Sequence, residues 1–195
     1  LPGEKTEKYH RILNSAGAVF AELGFDRATV AQVAETAGVA DGTLYLYFKN
    51  KEDILYQFIR FRAQKIFPRL NRAVGKGETA EEKLRSLIRC HLSEFQKDRD
   101  MTVVFMSEVR YLRQLRSQIK DISRIYLDLL SDIIEQGQLE GSMPRDIFAG
   151  LVKRFILGGA QGVISTWVKA RGRYDMVPLA DPLVDLYLLG MKKPA

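Results

Sequence analysis

The chain has 195 residues, 46% hydrophobic and 28% charged, with 30 Lys and Arg against 24 Asp and Glu for a formal net charge of +6; that is enough apolar chain for a sizeable core, and predicts one large domain with a small appendage. The longest apolar runs, "TVVFMS" and "YLDLLSDII", stop well short of the roughly 20 residues a membrane span needs, and no charged and apolar leader opens the chain, so the expected location is the cytoplasm and no membrane partner is expected. Cys90 is the single cysteine, which excludes an internal disulfide and a thiolate metal cluster and leaves a buried thiol as the plain reading.

Helical periodicity runs almost throughout. Tyr9, Ile12, Ala16, Val19, Phe20 and Leu23 recur at three- and four-residue spacing, and Gly24 ends that first helix. Thr29 and Gln32 make a capping box at the start of "TVAQVAETA", in which hydroxyl and amide satisfy orphan N–H groups. Ala37, Gly38 and Val39 form a turn, Gly38 taking the positive φ that redirects the chain, and a third helix is expected over residues 40–47. A long helix is expected over about residues 51–72, through Ile54, Leu55, Phe58, Phe61, Ile66 and Leu70, ending near Gly75 and Gly77. Thr79 and Glu82 open the next with a second capping box, and Leu84, Leu87, Ile88, His91, Leu92 and Phe95 form its apolar face up to "KDRD". Helices over about residues 101–112 and 115–136 precede the stop "GQLEGS". Two more, over about residues 144–170 and 177–190, place Pro144 and Pro182 in first turns. The pattern is nine helices with no convincing strand, repeat or low-complexity tract: an all-α chain.

Two short helices joined at "AGV" form a helix-turn-helix whose second helix is sized for a DNA major groove. Val33, Ala34, Val39, Leu44 and Phe48 can pack inward, leaving Asp41, Gly42, Thr43, Tyr45 and Tyr47 on or near the outer side, with groups suited to base edges and phosphates. On geometry alone an ordinary helical corner remains the competing reading. The wider segment "GFDRATVAQVAETAGVADGTLYLYFKNKEDIL" resembles the DNA-binding region of TetR-family transcriptional regulators. The matching elements are Gly24-Phe25, Thr29, Val33-Ala34, Ala37-Gly38-Val39, Gly42-Thr43-Leu44-Tyr45, Tyr47-Phe48 and Lys51-Glu52. The resemblance implies a nine-helix architecture, with a three-helix DNA-binding domain over residues 1–50 and a helical ligand-binding and dimerisation domain over 51–195. It implies that Thr29, Tyr45 and Lys51 touch phosphates while Asp41, Gly42 and Thr43 open the groove-facing helix; Gln32, Tyr47 and Lys49 complete the candidate DNA-binding set. The chain departs from the family at Ala31, where a basic residue is common, and at Ala40, where Ser is.

Six basic residues (Lys5, Lys8, Arg11, Arg27, Lys49, Lys51) and six acidic ones (Glu4, Glu7, Glu22, Asp26, Glu35, Asp41) leave residues 1–51 neutral, 6 − 6 = 0. Unspecific phosphate attraction should therefore be modest, and specific binding should rest on a few placed contacts plus dimer symmetry.

Arg110, Arg113, Arg116, Lys120 and Arg124 stand against Glu108 and Asp121, beside Val104, Phe105, Val109 and Leu112. Basic groups next to an apolar run suit a ligand with an anionic head and an apolar tail; a solvated helix face is the alternative. In "RFILGGAQGVISTWVKARGRYD", Phe155, Leu157, Ile164 and Trp167 surround Gly158, Gly159 and Gly162. Three glycines weaken a helix by about 1 kcal/mol each relative to Ala, so either a close dimer seam or ligand space should compensate. Trp167 is either a core residue or a pocket wall. The candidate ligand set is Val104, Phe105, Val109, Arg110, Arg113, Tyr126, Leu130, Phe155, Gly159, Gly162 and Trp167. "GVADGTLYLYFKNKEDIL" and "TWVKARGRYDMVPLADPLVDLYLLGM" together resemble the FadR-like branch of the family. That resemblance implies a repressor of fatty-acid degradation genes, bound as a homodimer to a roughly palindromic double-stranded DNA operator and released by long-chain acyl-CoA as effector, with no cofactor. Residues 76–140 diverge too far for ligand contacts to be carried across.

His10 and His91 lie in separate helices, without a nucleophile motif or a phosphate-binding glycine loop. His91 and Glu94 share one helix, a spacing frequent by chance, so no metal site is expected. The chain is not expected to be an enzyme. A repressor sensing multiple drugs or another small molecule, and a helical binding module without DNA activity, remain the alternatives.

Overall fold

The computed structural model describes residues 2–108 and 116–190, with the side chains of 6–108, 119–120 and 122–190. The described residues form nine α-helices and no strand: α1 (Pro2–Leu23), α2 (Val30–Ala37), α3 (Asp41–Leu44), α4 (Lys51–Val74), α5 (Ala80–Lys97), α6 (Arg99–Ser107), α7 (Arg116–Glu140), α8 (Ala149–Lys169) and α9 (Ala180–Gly190). A single 3₁₀ turn, Val177–Leu179, precedes α9.

Two expected boundaries are corrected. The third helix is only Asp41–Leu44, because the following amides tighten: Leu46 N–H donates to Thr43 O and Tyr47 N–H to Leu44 O, three residues back. Pro144 does not open α8; the chain stays irregular until Phe148 caps it at extended φ −60° and ψ 117°. Gln138 Nε2 holds that intervening stretch by donating to Pro144 O at 3.0 Å. Pro182 does fall in the first turn of α9.

The chain divides into two compact units, Leu1–Gln64 with Asp100–Ile122, and Lys65–Arg99 with Ser123–Ala195. In the first, Ile12, Leu13, Ala16 and Phe20 of α1 are buried together with Val33 and Ala34 of α2, Leu44 of α3 and Leu55 and Phe58 of α4. Gly17 admits the Phe58 ring: a Cβ there would come within 2.5 Å of it. Such burial stabilises by about 1.5–3 kcal/mol per large side chain, so α2 and α3, too short to persist alone, are held by the core they cover.

In the second unit, Leu84, Leu87, Ile88 and Leu92 of α5, Leu130, Ile133 and Ile134 of α7, Val152, Ile156 and Ile164 of α8, and Val184 and Tyr187 of α9 are buried. α9 is pinned to α5 through Arg85 with Asp185 and through Arg89 with Asp181 at 2.6 Å. These pairs are substantially exposed, so they orient more than they stabilise.

Candidate functional site

The corner between α2 and α3 is built by backbone satisfaction. Thr29 accepts from Gln32 N at 3.2 Å while Gln32 Oε1 accepts from Thr29 N at 2.9 Å, the reciprocal cap expected at the start of α2. Gly38 closes α2 at φ +62° and ψ 43°, its amide donating to Glu35 O at 3.0 Å, and the next amide, of Val39, donates to Ala34 O at 3.0 Å. Ala40 then enters α3 at φ −69° and ψ 145°.

Asp41, Gly42, Tyr45 and Lys49 are exposed, and Thr43 and Tyr47 half-buried, while Leu44 and Phe48 are buried beneath them. Phe48 stacks on Tyr9 with ring centroids 5.3 Å apart, which fixes the chain leaving the recognition element. A second reciprocal cap opens α4: Asn50 Oδ1 accepts from Asp53 N at 2.8 Å and Asp53 Oδ2 accepts from Lys49 N at 2.9 Å. The Asn-x-x-Asp spacing is the local signal for this cap. Leu46, exposed at 82% beside Tyr45 at 63%, belongs to no motif and is evident only from its exposure.

Lys51, expected on a phosphate, is engaged within the protomer. Its Nζ donates to Phe25 O at 2.7 Å, Ala28 O at 2.9 Å and Asp26 O at 3.3 Å, and lies 4.6 Å from the Phe25 ring centroid. Three ammonium protons thus meet three backbone carbonyls, making Lys51 a strut between the start of α4 and the loop that delivers α2. From the other side of that loop, Phe25 N–H donates to Glu108 Oε1 at 3.2 Å, and Glu108 is buried just beyond α6.

The expected effector residues do not behave as one set. Val109, Arg110 and Arg113 lie outside the described residues. Val104 is fully buried and Phe105 half-buried in the first unit. Farther along the expected basic row, Lys120 is exposed, and Arg124, 72% exposed, pairs with Asp128 on its own helix at 3.5 Å. That end is a solvated face. In the second unit Leu130 is fully buried. Tyr126 shares a 2.8 Å hydrogen bond between its Oη and His91 Nδ1. Burial pushes the His91 imidazolium down to about 4 and raises the Tyr126 phenol, so both are neutral near pH 7. The two groups satisfy each other inside the second unit.

The four expected ligand residues on α8 have different surroundings. Gly159 is filled: a Cβ there would collide with the Tyr187 hydroxyl, which donates to Ile156 O at 2.8 Å. Trp167 is 4% exposed and serves the loop after α8, its Nε1 donating to Tyr174 O at 2.8 Å while its ring covers Gly172 at φ +71°. Phe155 is 54% exposed, with its ring edge against Tyr187 at 5.3 Å between centroids. Gly162 has nothing within 4 Å of where a Cβ would stand, and Gly158 is equally open. Leu151, Phe155, Gly158 and Gly162, at spacings of four, three and four, therefore form one open stripe along α8.

A family model described as bacterial regulatory proteins, tetR family, matches residues 12–57, and one described as YsiA-like protein, C-terminal region, matches residues 60–190. The fatty acid metabolism regulator protein of Bacillus subtilis (strain 168) is 34% identical over 189 residues, covering 96% of this chain and 97% of that protein. Among solved structures, the transcriptional regulator FadR from Bacillus subtilis in complex with stearoyl-CoA superposes at a TM-score of 0.86 with 33% identity, over 94% of this chain and 100% of that one. The fatty acid degradation regulator FadR from Bacillus halodurans superposes at 0.88 with 31% identity, over 96% and 97% of the respective chains. With a capped helix-turn-helix in its first unit and family matches extending through the second, this chain belongs to the tetR family of bacterial regulatory proteins and is a DNA-binding transcriptional regulator.

Proposed function

We propose that the chain is a homodimeric repressor of fatty-acid degradation genes that leaves its operator on binding long-chain acyl-CoA. The observation that carries this reading is the near full-length similarity, at 33% identity, to a FadR whose structure holds stearoyl-CoA. In this reading residues 1–50 hold the DNA and residues 51–195 hold the effector and the dimer seam. Arg110 and Arg113 are the side chains we assign to the coenzyme A phosphates.

The seam is the open stripe on α8 together with Leu186 and Leu189 of α9, exposed at 64% and 63%. Two helices from each protomer would close such a face as a four-helix bundle and set two reading heads on a palindrome about 34–36 Å apart, one DNA turn. Operator-bound protein titrated with palmitoyl-CoA, palmitate and coenzyme A tests the effector. Release by palmitoyl-CoA ahead of palmitate is expected; equal potency rejects the phosphate-binding arginines, and no release by any of the three rejects the acyl-CoA reading.

A further inference from the structure

Leu46 is the most exposed large apolar side chain among the described residues, at 82%, and it lies in the turn directly after α3. It lies just past the end of α3, its amide donating to Thr43 O at 3.2 Å, with Tyr45 alongside. Nothing stands within 4 Å of where a Gly42 side chain would be. The start of α3 is therefore bare backbone at Gly42, which lets that end approach a groove floor closely, and Leu46 is the purely aliphatic group exposed just beyond it. An isobutyl group held in water has no stabilising role in the protomer: Leu44 and Phe48 on either side fill the core, at 1% and 3% exposure.

The polar complement of the head argues in the same direction. Lys51 is spent on three backbone carbonyls, Thr29 and Gln32 are engaged with each other, and residues 1–51 sum to no net charge. Phosphate contacts position a reading head without carrying base information, so base discrimination here must come from side chains that reach base edges. In the major groove the one apolar group on a base edge is the C5-methyl of thymine.

We propose that Leu46 is a specificity-determining residue that packs on the C5-methyl of a thymine in each operator half-site. This deepens the assignment of the α2–α3 corner as the DNA-reading surface and rests on it. The contact removes one methyl and the facing leucine from water. Its expected worth is about fourfold in affinity per half-site, equivalent to about 0.8 kcal/mol, and on the order of tenfold when both half-sites are changed.

The test uses the full-length protein and duplexes it selects from a random pool. Each thymine of the selected half-site is replaced in turn, symmetrically in both half-sites, by deoxyuridine, which lacks only the methyl. The expected result is one position at which wild type loses roughly tenfold and Leu46→Ala loses nothing, both proteins binding the deoxyuridine duplex alike. Selected half-sites without a thymine, no sensitive position, or a Leu46→Ala variant that stays as methyl-sensitive as wild type each overturn the proposal. Uniform weakening of Leu46→Ala on thymine and deoxyuridine duplexes also overturns it, and assigns Leu46 to the sugar-phosphate backbone. If no duplex is selected at all, the DNA-reading surface itself is wrong, and the proposal falls with it.

Discussion

The α2–α3 corner and helix α8 are both rich in glycine, and glycine means opposite things in them. At the corner Gly38 is there for its backbone, at φ +62° with nothing near its missing side chain. In α8 the backbone is helical throughout and the glycines differ by what stands beside them: Gly159 is occupied by Tyr187, whereas Gly158 and Gly162 face open space. A glycine is explained by its surroundings, and three in one short stretch need not share a cause.

The strongest way to break this comparison is to fill Gly159. Gly159→Leu should cost about 3 kcal/mol of protomer stability through the displaced Tyr187 ring, seen as a lowered denaturation midpoint. Gly159→Ala combined with Tyr187→Phe should cost less than the sum of its parts, because the hydroxyl is the colliding atom. Gly158→Ala should instead leave the protomer unchanged or up to about 1 kcal/mol more stable, and any weakening of self-association by sedimentation would place the dimer seam there.

Acid should act on the second unit nearly as strongly. The Thr29–Gln32 cap of α2 carries no titratable group, whereas α5 buries His91 with its pKa pushed down to about 4. A depressed histidine is neutral in the folded state while the unfolded chain takes up a proton below about 6.5. Its contribution is therefore complete above pH 6.5 and is lost as pH falls from there through 4, on the order of 3 kcal/mol in all. The difference in stability between wild type and His91→Gln across that window should show this slope; parallel pH curves would remove His91 from the account.

Within the corner, Lys51→Ala should cost about 2 kcal/mol through three lost charge-assisted hydrogen bonds, lowering the unfolding midpoint and the affinity for every DNA sequence together. A variant of wild-type stability with weakened binding would return Lys51 to the phosphates. Thr29→Ala, the smallest effect, should cost about 1 kcal/mol as a lost helix cap, measured by thermal unfolding.

Capping boxes, positive-φ turns and apolar spacing were legible in the sequence because they are local: Thr29 with Gln32, Thr79 with Glu82 and Gly38 all stand as the pattern implied. The end of α3 was not, since helix propensity does not register the tightening after Leu44. Pro144 misled because a first-turn proline is also a good loop residue. The candidate site was legible where family motifs fix roles and illegible where partners lie far along the chain. Lys51 and the loop carbonyls it binds are 23–26 positions apart, and Tyr187 over Gly159 could be found only from packing.

The Phe25–Glu108 hydrogen bond gives the protein a reporter that needs no added probe group, only isotope. The hydrogen bond should slow solvent exchange of the Phe25 amide and shift its proton resonance for as long as the Glu108 carboxylate stays 3.2 Å away. Because Glu108 follows directly on α6, a small movement at that helix end must be written into one backbone signal beside the DNA-reading corner. A ¹⁵N-labelled protein would let that single amide be followed through a titration with any compound, and the resonance would distinguish compounds that disturb the end of α6 from those that bind elsewhere.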